Sequence, residues 1–470
     1  MSALLDRAIT AGLFVVLAFT ALAHGAVEPW SVAVWEMTVA LLILMWGVKW
    51  AVDKRISLKV PAAALPFAGL LALGIAQSAV SGLSMDAEAT RSATLALVSA
   101  FSIFMIGSNF LGSRRRLRAA ANFLVALGLG LAVFGLIQHF TWNGSLYWFR
   151  PNTQTASPFG PFVNHNHFAG LIGMIIPLAI ALAASDIGLE SRLFYGFAAA
   201  VMGIASVLAL SRGGMISLTA ALAFVVAMAA IRRMQHSRDE THDQWSAGSG
   251  RKAGTRRKRS IGGPALLVLM IVITIGAGIF WIGSDPVISR VAKVASSPGP
   301  DKTETFFTSR GWIWRDTIAM IEANPILGVG LGAYQTAYPM YSASDGSLIV
   351  AQSHNDYLQI VADCGVVGGA LALWFLIIVG RTLFNAAKAQ DPVVSGLAIG
   401  GAGGIFAMLS HSLFDFNLQL PSNGLLFLTL VAVQSNLAAV ASRRRVKVYR
   451  KHEARAEGAS LDHDAAAATY

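Results

Sequence analysis

Residues 353–359 read SHNDYLQ, and an apolar run resumes directly after this polar sequence. The heptapeptide ends a long polar interruption, residues 284–353, in a chain that is otherwise mostly apolar. Hydrophobic residues make up 55% of the 470 residues and charged residues only 13%, a balance far more apolar than that of a soluble domain. We therefore expect a polytopic membrane protein whose chemistry lies in this interruption and in the few polar residues that face it.

Apolar stretches of about 17 to 25 residues, long enough to cross the hydrocarbon core as helices, recur about twelve times. They begin near residues 8, 30, 61, 92, 119, 166, 193, 213, 263, 355, 393 and 421. The pattern predicts an all-α polytopic membrane protein with about 12 transmembrane helices and one large extramembrane loop that contains amphipathic helices. Its predicted parts are nine helices in 1–283 with a basic linker at 232–262, the loop 284–353, three helices in 354–442, and a basic tail at 443–470.

The distribution of Lys and Arg predicts the orientation, because positively charged loops resist translocation. With the N-terminus inside, most of the 36 Lys and Arg residues lie in cytoplasmic segments, and the opposite face keeps only Arg91, Arg150, Arg212, Arg290, Lys293, Lys302, Arg310 and Arg315. The net charge of +11 comes largely from basic runs that flank membrane spans. These runs indicate contact with anionic membrane lipids rather than with nucleic acid.

Several common signals are absent or uninformative. The single cysteine, Cys364, falls within a predicted span, so it forms no intramolecular disulfide. We find no haem motif, Walker loop or metal-ligand cluster, and the charge before the first apolar run, Arg7 against Asp6, favours an uncleaved first span. The sequence GVGLG at 328–332 has no βαβ unit around it and predicts a turn that allows close backbone approach.

The second half of the interruption predicts an amphipathic helix. Thr308 or Ser309 is the expected N-cap, and the helix should end before Pro325. The apolar positions at helical spacing are Ile313, Trp314, Thr317, Ile318 and Ile321. Tryptophan favours the headgroup level, so the helix either lies along the membrane surface or packs on the bundle.

Arg212 is the next notable charge, in the sequence SRGG at 211–214 between two apolar runs. The glycines predict a tight outward hairpin. An arginine at membrane depth costs roughly 2.5 to 3.5 kcal/mol without a partner or water. Arg212 therefore either reaches a lipid headgroup or binds an anionic substrate.

Six of the ten histidines fall near the outer face: His24, His139, His165, His167, His354 and His411. Ser353 is the expected cap of the helix that begins there, which would hold the His354 imidazole on the first turn. Such an imidazole can accept a hydroxyl proton at neutral pH. Asn164, His165 and His167 open the sixth span and suit either sugar-hydroxyl recognition or plain helix capping, while His411 and Asp415 give a weaker signal of the same kind.

Three motifs together resemble the bacterial O-antigen ligase and polymerase family: SRGG at 211–214, Arg310 followed by NPILGVG at 324–330, and HNDY at 354–357 with Gly365 and Gly368. The resemblance covers roughly residues 160–420. It implies a helical bundle in the bacterial inner membrane with a large periplasmic loop and with both termini in the cytoplasm. It also implies transfer of a glycan from an undecaprenyl-diphosphate carrier, with no metal or other cofactor.

Carried over by motif, the resemblance implies that Arg212 and Arg310 hold the diphosphate and that His354 acts on the acceptor hydroxyl. The expected substrate-binding residues are Asn164, His165, His167, Asn355, Asp356, Arg315 and His411. The acceptor is a second glycan, lipid A-core or a protein hydroxyl, so ligase and polymerase both remain open. Twelve spans with both ends inside also suit a transporter or flippase of lipid-linked glycan or another solute, or a scaffold subunit of a membrane complex.

Overall fold

The computed structural model of the protein describes residues 1–54, 58–152, 157–185, 187–246, 306–342, 349–389 and 391–442. This part of the chain is almost entirely helical. Its first eight helices are α1 (Ser2–Leu22), α2 (Pro29–Asp53), α3 (Ala64–Ala79), α4 (Ala87–Phe110), α5 (Arg114–Phe140), α6 (His165–Ala183), α7 (Leu189–Leu208) and α8 (Arg212–Ser246). The remaining five are α9 (Phe306–Ala323), α10 (Tyr334–Ala337), α11 (Asp356–Ala387), α12 (Pro392–His411) and α13 (Pro421–Ser442).

The all-α membrane fold is confirmed. Ten described helices are long and apolar enough to cross a membrane, and they begin close to the predicted positions. The third predicted span is a shorter apolar helix, Ala64–Ala79, of 16 residues. The predicted ninth span near residue 263, the first part of the loop at 284–305 and the basic tail 443–470 lie outside the described residues.

The start of the predicted linker 232–262 is helical instead of irregular. Helix α8 continues as far as Ser246, and residues 247–262 lie outside the described part. The segment as a whole is rich in Ser, Gly, Arg and Lys, and this composition predicts a linker. Its first glycine, however, is Gly248. The residues before that point carry no strong helix breaker, so they extend the preceding span.

Contacts near the ends of the described helices show which ends lie together, and they define two faces of the bundle. On one face Arg150 pairs with Glu28, and Thr336 donates a hydrogen bond to Asp86. On the other face Asp6 pairs with Arg116, and Asp391 pairs with Arg114 at 2.7 Å. Helices that alternate between these two faces place the N-terminus on the second face and the residues around His354 on the first.

Helix α6 lies at the centre of the bundle, with nearly every residue from Phe168 to Ala183 buried. A helix that is apolar on all sides is expected in such a position. It packs on α7, α8 and α12, and the outer ends of α6, α8 and α12 meet at the first face. These three ends carry His167, Arg212 and His411, which is why the fold gathers polar residues there.

Helix α11 is broken at Gly365, and the loop 325–332 fills the break. Gly365 has a left-handed φ of 62°, and the Val366 amide donates to the Pro325 carbonyl at 2.8 Å. The Gly330 amide donates in turn to the Asp363 carbonyl at 3.0 Å, and the Gln77 side chain donates to the same carbonyl. The predicted role of the GVGLG sequence in close backbone approach is confirmed, and the contact joins the second half of the large loop to a membrane span.

The small sheet of this protein consists of two short strands, β1 (Ser145–Leu146) and β2 (Arg150–Pro151), which pair in an antiparallel hairpin between α5 and α6. The hairpin lies on the first face, where Arg150 reaches Glu28.

Candidate active site

His354 lies in the turn that leads into α11, one position before the helix cap. Its backbone is left-handed, with φ of 53°. The helix is capped by Asn355, whose Oδ1 accepts from the amides of Tyr357 and Leu358 at 3.0 and 3.1 Å. The prediction of a Ser353 cap is therefore wrong, since the Ser353 hydroxyl donates to the Asn355 carbonyl instead.

Hydrogen bonds from two other segments hold the turn around His354 in place. Ser353 is fully buried, and its amide donates to the Gln359 side chain at 2.7 Å. The indole Nε1 of Trp314, on α9, donates to the Ser353 carbonyl at 3.0 Å. This bond ties the amphipathic helix of the large loop to the residue that precedes His354.

Asp415 is the carboxylate that faces His354. The Nδ1 atom of His354 lies 3.2 Å from Asp415 Oδ1, and the Asp415 side chain is only 1% exposed, whereas that of His354 is 30% exposed. The Phe416 amide also donates to Oδ1 at 2.9 Å. A carboxylate in this position orients the imidazole and fixes which ring nitrogen is presented outward.

Arg310 completes the cluster from the second turn of α9. Its Nη2 atom lies 3.8 Å from Asp415 Oδ2, a separation that makes the contact Coulombic rather than a hydrogen bond. The Arg310 side chain is 12% exposed. Helix α9 begins at Phe306, so the predicted N-caps Thr308 and Ser309 lie within the helix, and it ends at Ala323 as predicted before Pro325.

The pKa values of the two charged residues follow from burial and from their neighbours. Burial alone would raise the pKa of Asp415, but the hydrogen bond with His354 and the nearby cationic groups, including Arg310, hold it below its usual range. Burial lowers the pKa of Arg310, and the Asp415 charge offsets part of this effect. An arginine that is both charged and shielded from water favours an anionic ligand.

Two further histidines surround this cluster. The Phe416 ring lies between His354 and His167, with ring centroids 5.0 and 5.1 Å away in edge-on geometry. His411 is 1% exposed, at the end of α12. Within the described ranges, His167 Nε2, His411 Nδ1 and Asp415 Oδ2 are buried without a hydrogen-bond partner, and no three acidic, His or Cys side chains are arranged as a metal site.

Arg212 is the first residue of α8 and is half-buried. Ser211 caps this helix by accepting from the Gly214 amide at 3.1 Å, and it donates to Asn166 at 2.7 Å. The tight hairpin is present, because α7 ends at Leu208 and α8 begins at Arg212. Its left-handed residue is Leu210 and not a glycine, so the predicted role of the glycines in it is wrong. Gly213 instead lets α8 approach α12, because a Cβ there would lie 3.3 Å from the His411 ring.

The remaining predicted site residues have structural contacts. Asn164 caps α6 by accepting from the Asn166 amide, and His165 Nδ1 lies 2.9 Å from the Ser157 carbonyl. Asp356 accepts from the Ser412 hydroxyl at 2.7 Å and from the Leu418 amide, which holds the segment that carries Asp415. Asn355 donates to the Leu413 carbonyl of that segment.

Arg315 lies on the same helix as Arg310, but it makes different contacts. Its guanidinium pairs with Asp316 at 2.9 Å and lies over the Trp312 ring. Of the predicted apolar face, Thr317 is fully buried whereas Ile318 is 47% exposed, so the face of α9 that packs on the protein excludes Ile318.

The geometry brings His354 and Arg310 to one carboxylate, that of Asp415. Phe416 and Trp314 also contact the His354 turn, and the sequence analysis gives neither of them a site role. From the sequence alone, Asp415 is only a weak signal beside His411. A carboxylate four residues after an apolar span is a signal that could have found it, because an unpaired charge is costly there.

A bundle of membrane-spanning helices with this ionic cluster at one face defines a multi-pass membrane protein with a candidate active site at its helix ends. Residues 197–373 match the model of the family described as O-antigen ligase. The match agrees with the resemblance that the three motifs carry, and this family indicates an O-antigen ligase or polymerase type of membrane glycosyltransferase. It includes Arg212, Arg310 and His354 and ends before His411 and Asp415. No curated protein matches the chain.

Proposed function

We propose that the protein transfers a glycan from an undecaprenyl-diphosphate donor to a hydroxyl acceptor at the periplasmic face of the bacterial inner membrane. The proposed reaction needs neither a metal nor a nucleotide sugar. Both termini are then cytoplasmic, as the distribution of Lys and Arg indicates. The donor carries its own leaving group, so the protein has to supply only position, a base and charge stabilisation.

One observation supports this proposal above the others: a single buried carboxylate, that of Asp415, lies 3.2 Å from the His354 imidazole and 3.8 Å from the Arg310 guanidinium. A base and a phosphate-binding cation thus share one anchor. The two groups that the reaction needs are held side by side, at the lip of the bundle where a lipid carrier would present its diphosphate.

His354 is the proposed general base. The ionised carboxylate of Asp415 can only accept a hydrogen bond, so Nδ1 of His354 carries the proton and Nε2 is the basic atom. The acceptor hydroxyl loses its proton to Nε2 while its oxygen forms a bond to the anomeric carbon of the donor sugar. The bond from that carbon to the diphosphate oxygen breaks, and undecaprenyl diphosphate leaves with the electron pair.

Arg310 and Arg212 are the proposed ligands of the diphosphate. A guanidinium matches two phosphate oxygens at once and stabilises the negative charge that grows on the leaving group. Arg310 is buried against Asp415, and Arg212 begins the helix whose Gly213 contacts His411. Among the described residues Arg212 has no ion pair, which suits a cation that pairs with substrate.

The other predicted substrate-binding residues keep that role as a proposal. His167 and His411 line the buried side of the cluster, and Asn164 and His165 begin the neighbouring helix. The contacts of Asn355 and Asp356 favour a second role, in which they hold the segment 412–420 and thereby Asp415 in place. A second glycan, lipid A-core and a protein hydroxyl all remain acceptor candidates.

The decisive experiment adds the purified full chain, in lipid nanodiscs, to a defined undecaprenyl-diphosphate glycan and to each acceptor in turn, with and without a metal chelator. We expect transfer to one acceptor class, insensitive to the chelator. His354→Ala, Arg310→Ala and Arg212→Ala should lower the rate by at least about 100-fold. Exposed Arg91 on the same predicted face provides the matched control, and Arg91→Ala should keep wild-type activity.

Retained transfer in the His354→Ala protein would contradict the role of His354 as base. Movement of the intact lipid-linked glycan across a sealed bilayer, without transfer to any acceptor, would instead favour the flippase alternative.

A further inference from the structure

A cavity of about 440 Å³ opens on the same face as the Asp415 cluster. It lies between the end of α5, the start of α6 and the end of α7. His165 is the one residue with a proposed substrate-binding role that is among its described lining residues. Its volume falls in the range of about 300 to 1,000 Å³ that is usual for small-molecule sites.

The lining of this cavity suits a neutral, polar ligand. Trp142, which is 42% exposed, supplies an aromatic surface, and the polar side chains of Gln138, His139 and His165 line the same space. No Asp, Glu, Lys or Arg is among the described lining residues. A sugar ring has an apolar C–H face and a rim of hydroxyls, so it requires this combination of an aromatic surface with hydrogen-bonding groups.

The walls of the cavity are built by backbone packing. Gly135 of α5 lies against the turn at 158–162, where an added Cβ would be 2.7 Å from the Phe159 ring. Phe159 and Phe162 exchange backbone hydrogen bonds of 3.1 and 3.2 Å, and the His139 ring lies over Phe159. These contacts hold α5 and the turn at 158–162 together as one wall of the cavity.

Two elements connect the cavity to the candidate active site. His165 lines the cavity, and His167, two residues further along α6, contacts Phe416 beside His354. Leu210 also lines the cavity and precedes Arg212 by two residues. The Ser211 hydroxyl donates to Asn166, which holds these two chain segments together.

We infer that this cavity is a subsite for the neutral sugar units of the donor glycan. The inference rests on the proposed function, which places the donor diphosphate at Arg212 and Arg310. The donor is favoured over the acceptor because the cavity adjoins the Arg212 turn directly, whereas it reaches His354 only through His167 and Phe416. The sugar units of the donor glycan would then extend from the diphosphate towards Trp142.

Binding measurements on the full chain in nanodiscs test this subsite. The probes are undecaprenyl diphosphate with its glycan, undecaprenyl diphosphate without sugar, and the glycan fragment alone. In the wild-type protein we expect the glycan to tighten donor binding by about tenfold. Trp142→Ala should remove that gain and leave the affinity for the sugar-free lipid unchanged.

Phe149 provides the matched control, because it is an exposed aromatic residue of the same segment that does not line the cavity. Phe149→Ala should keep the full gain. In transfer assays Trp142→Ala should raise the donor KM by about tenfold, with kcat and the acceptor KM unchanged.

An equal gain from the glycan in the wild-type and Trp142→Ala proteins would overturn the inference, as would a rise in the acceptor KM with an unchanged donor KM. The glycan fragment separates the two proposals. If the wild-type protein binds the fragment through Trp142 but neither binds the lipid diphosphate nor transfers glycan, the proposed function fails and the sugar site stands. If transfer proceeds and the fragment binds equally to both proteins, the subsite fails alone.

Discussion

His354 and Asp415 are 61 positions apart in the chain, yet His354 Nδ1 lies 3.2 Å from Asp415 Oδ1. In the chain, His354 comes just before α11 and Asp415 comes just after α12, so both helices separate them. Asp356 secures their approach by accepting from Ser412 and Leu418 in the Asp415 segment. The imidazole is thus oriented by the segment that follows α12, which the fold places beside it.

Asp415→Asn should lower kcat by about 100- to 10,000-fold, because an amide does not hold the imidazole in the tautomer that leaves Nε2 basic. The donor KM should change much less. Steady-state kinetics with a defined lipid-linked glycan measures both values. Asp86→Asn is the matched control, since Asp86 is a helix cap on the same face and asparagine also caps helices well. A kcat within twofold of the wild-type value would contradict the role assigned to Asp415.

The lowered pKa of Asp415 also predicts how stability depends on pH. A carboxyl group whose pKa is lower in the folded state contributes stability above its unfolded pKa, near 3.9, and loses it as the pH falls towards the folded pKa. The stability contribution of Asp415, measured as the difference in melting temperature between wild-type protein and Asp415→Asn, should therefore be fully present at about pH 5. It should shrink below about pH 4. Thermal unfolding in detergent across this range measures the difference, and a constant difference down to pH 3 would show that Asp415 is not ionised in the folded protein.

The membrane fold was predictable because each span is a long apolar stretch, a local property of the sequence. The close approach at GVGLG was also predictable, since glycine at such spacing permits backbone contact. Asp415 was not, because it lies in a short segment after α12 without a repeat or motif, and only the packing of α11 on α12 brings it to His354. The cavity beside Trp142 likewise depends on three separate helices.

The errors at helix ends have a local cause. Ser353 and Asn355 are both good N-cap residues, two positions apart, and sequence alone does not choose between them. In the structure Asn355 caps the helix while Ser353 is buried and bonded to Trp314 and Gln359. The choice is made by tertiary contacts, and it moves His354 from the first helical turn to a left-handed position before the cap.

Trp314→Phe tests whether this tertiary contact positions His354. The substitution keeps an aromatic ring but removes the Nε1 hydrogen bond to the Ser353 carbonyl, a bond worth about 1 kcal/mol. We expect kcat to fall about 5- to 30-fold if the bond holds the turn in its active geometry, with little change in melting temperature. Trp312→Phe is the control on the same helix, because Trp312 is 61% exposed and the hydrogen bond to Ser353 comes from Trp314. Equal kcat values for the two variants would show that Trp314 packs on the turn without positioning His354.

The break in α11 provides the last prediction, because the loop 325–332 depends on it. Gly365 adopts φ of 62° and ψ of −164°, and a Cβ at this position would lie 2.1 Å from the Ile326 carbonyl oxygen. Gly365→Ala combines a backbone conformation that only glycine adopts readily with a backbone clash, and should lower the free energy of unfolding by at least about 3 kcal/mol. Gly380, in the same helix, has no atom within 4 Å of an added Cβ, so Gly380→Ala should be neutral or stabilising by up to about 1 kcal/mol. Unfolding of both variants in the same detergent makes the comparison. Because the loop connects α9 to the break, Gly365→Ala should also lower transfer by moving Arg310, and equal stability of the two variants would exclude the backbone pairing as a major support of the site.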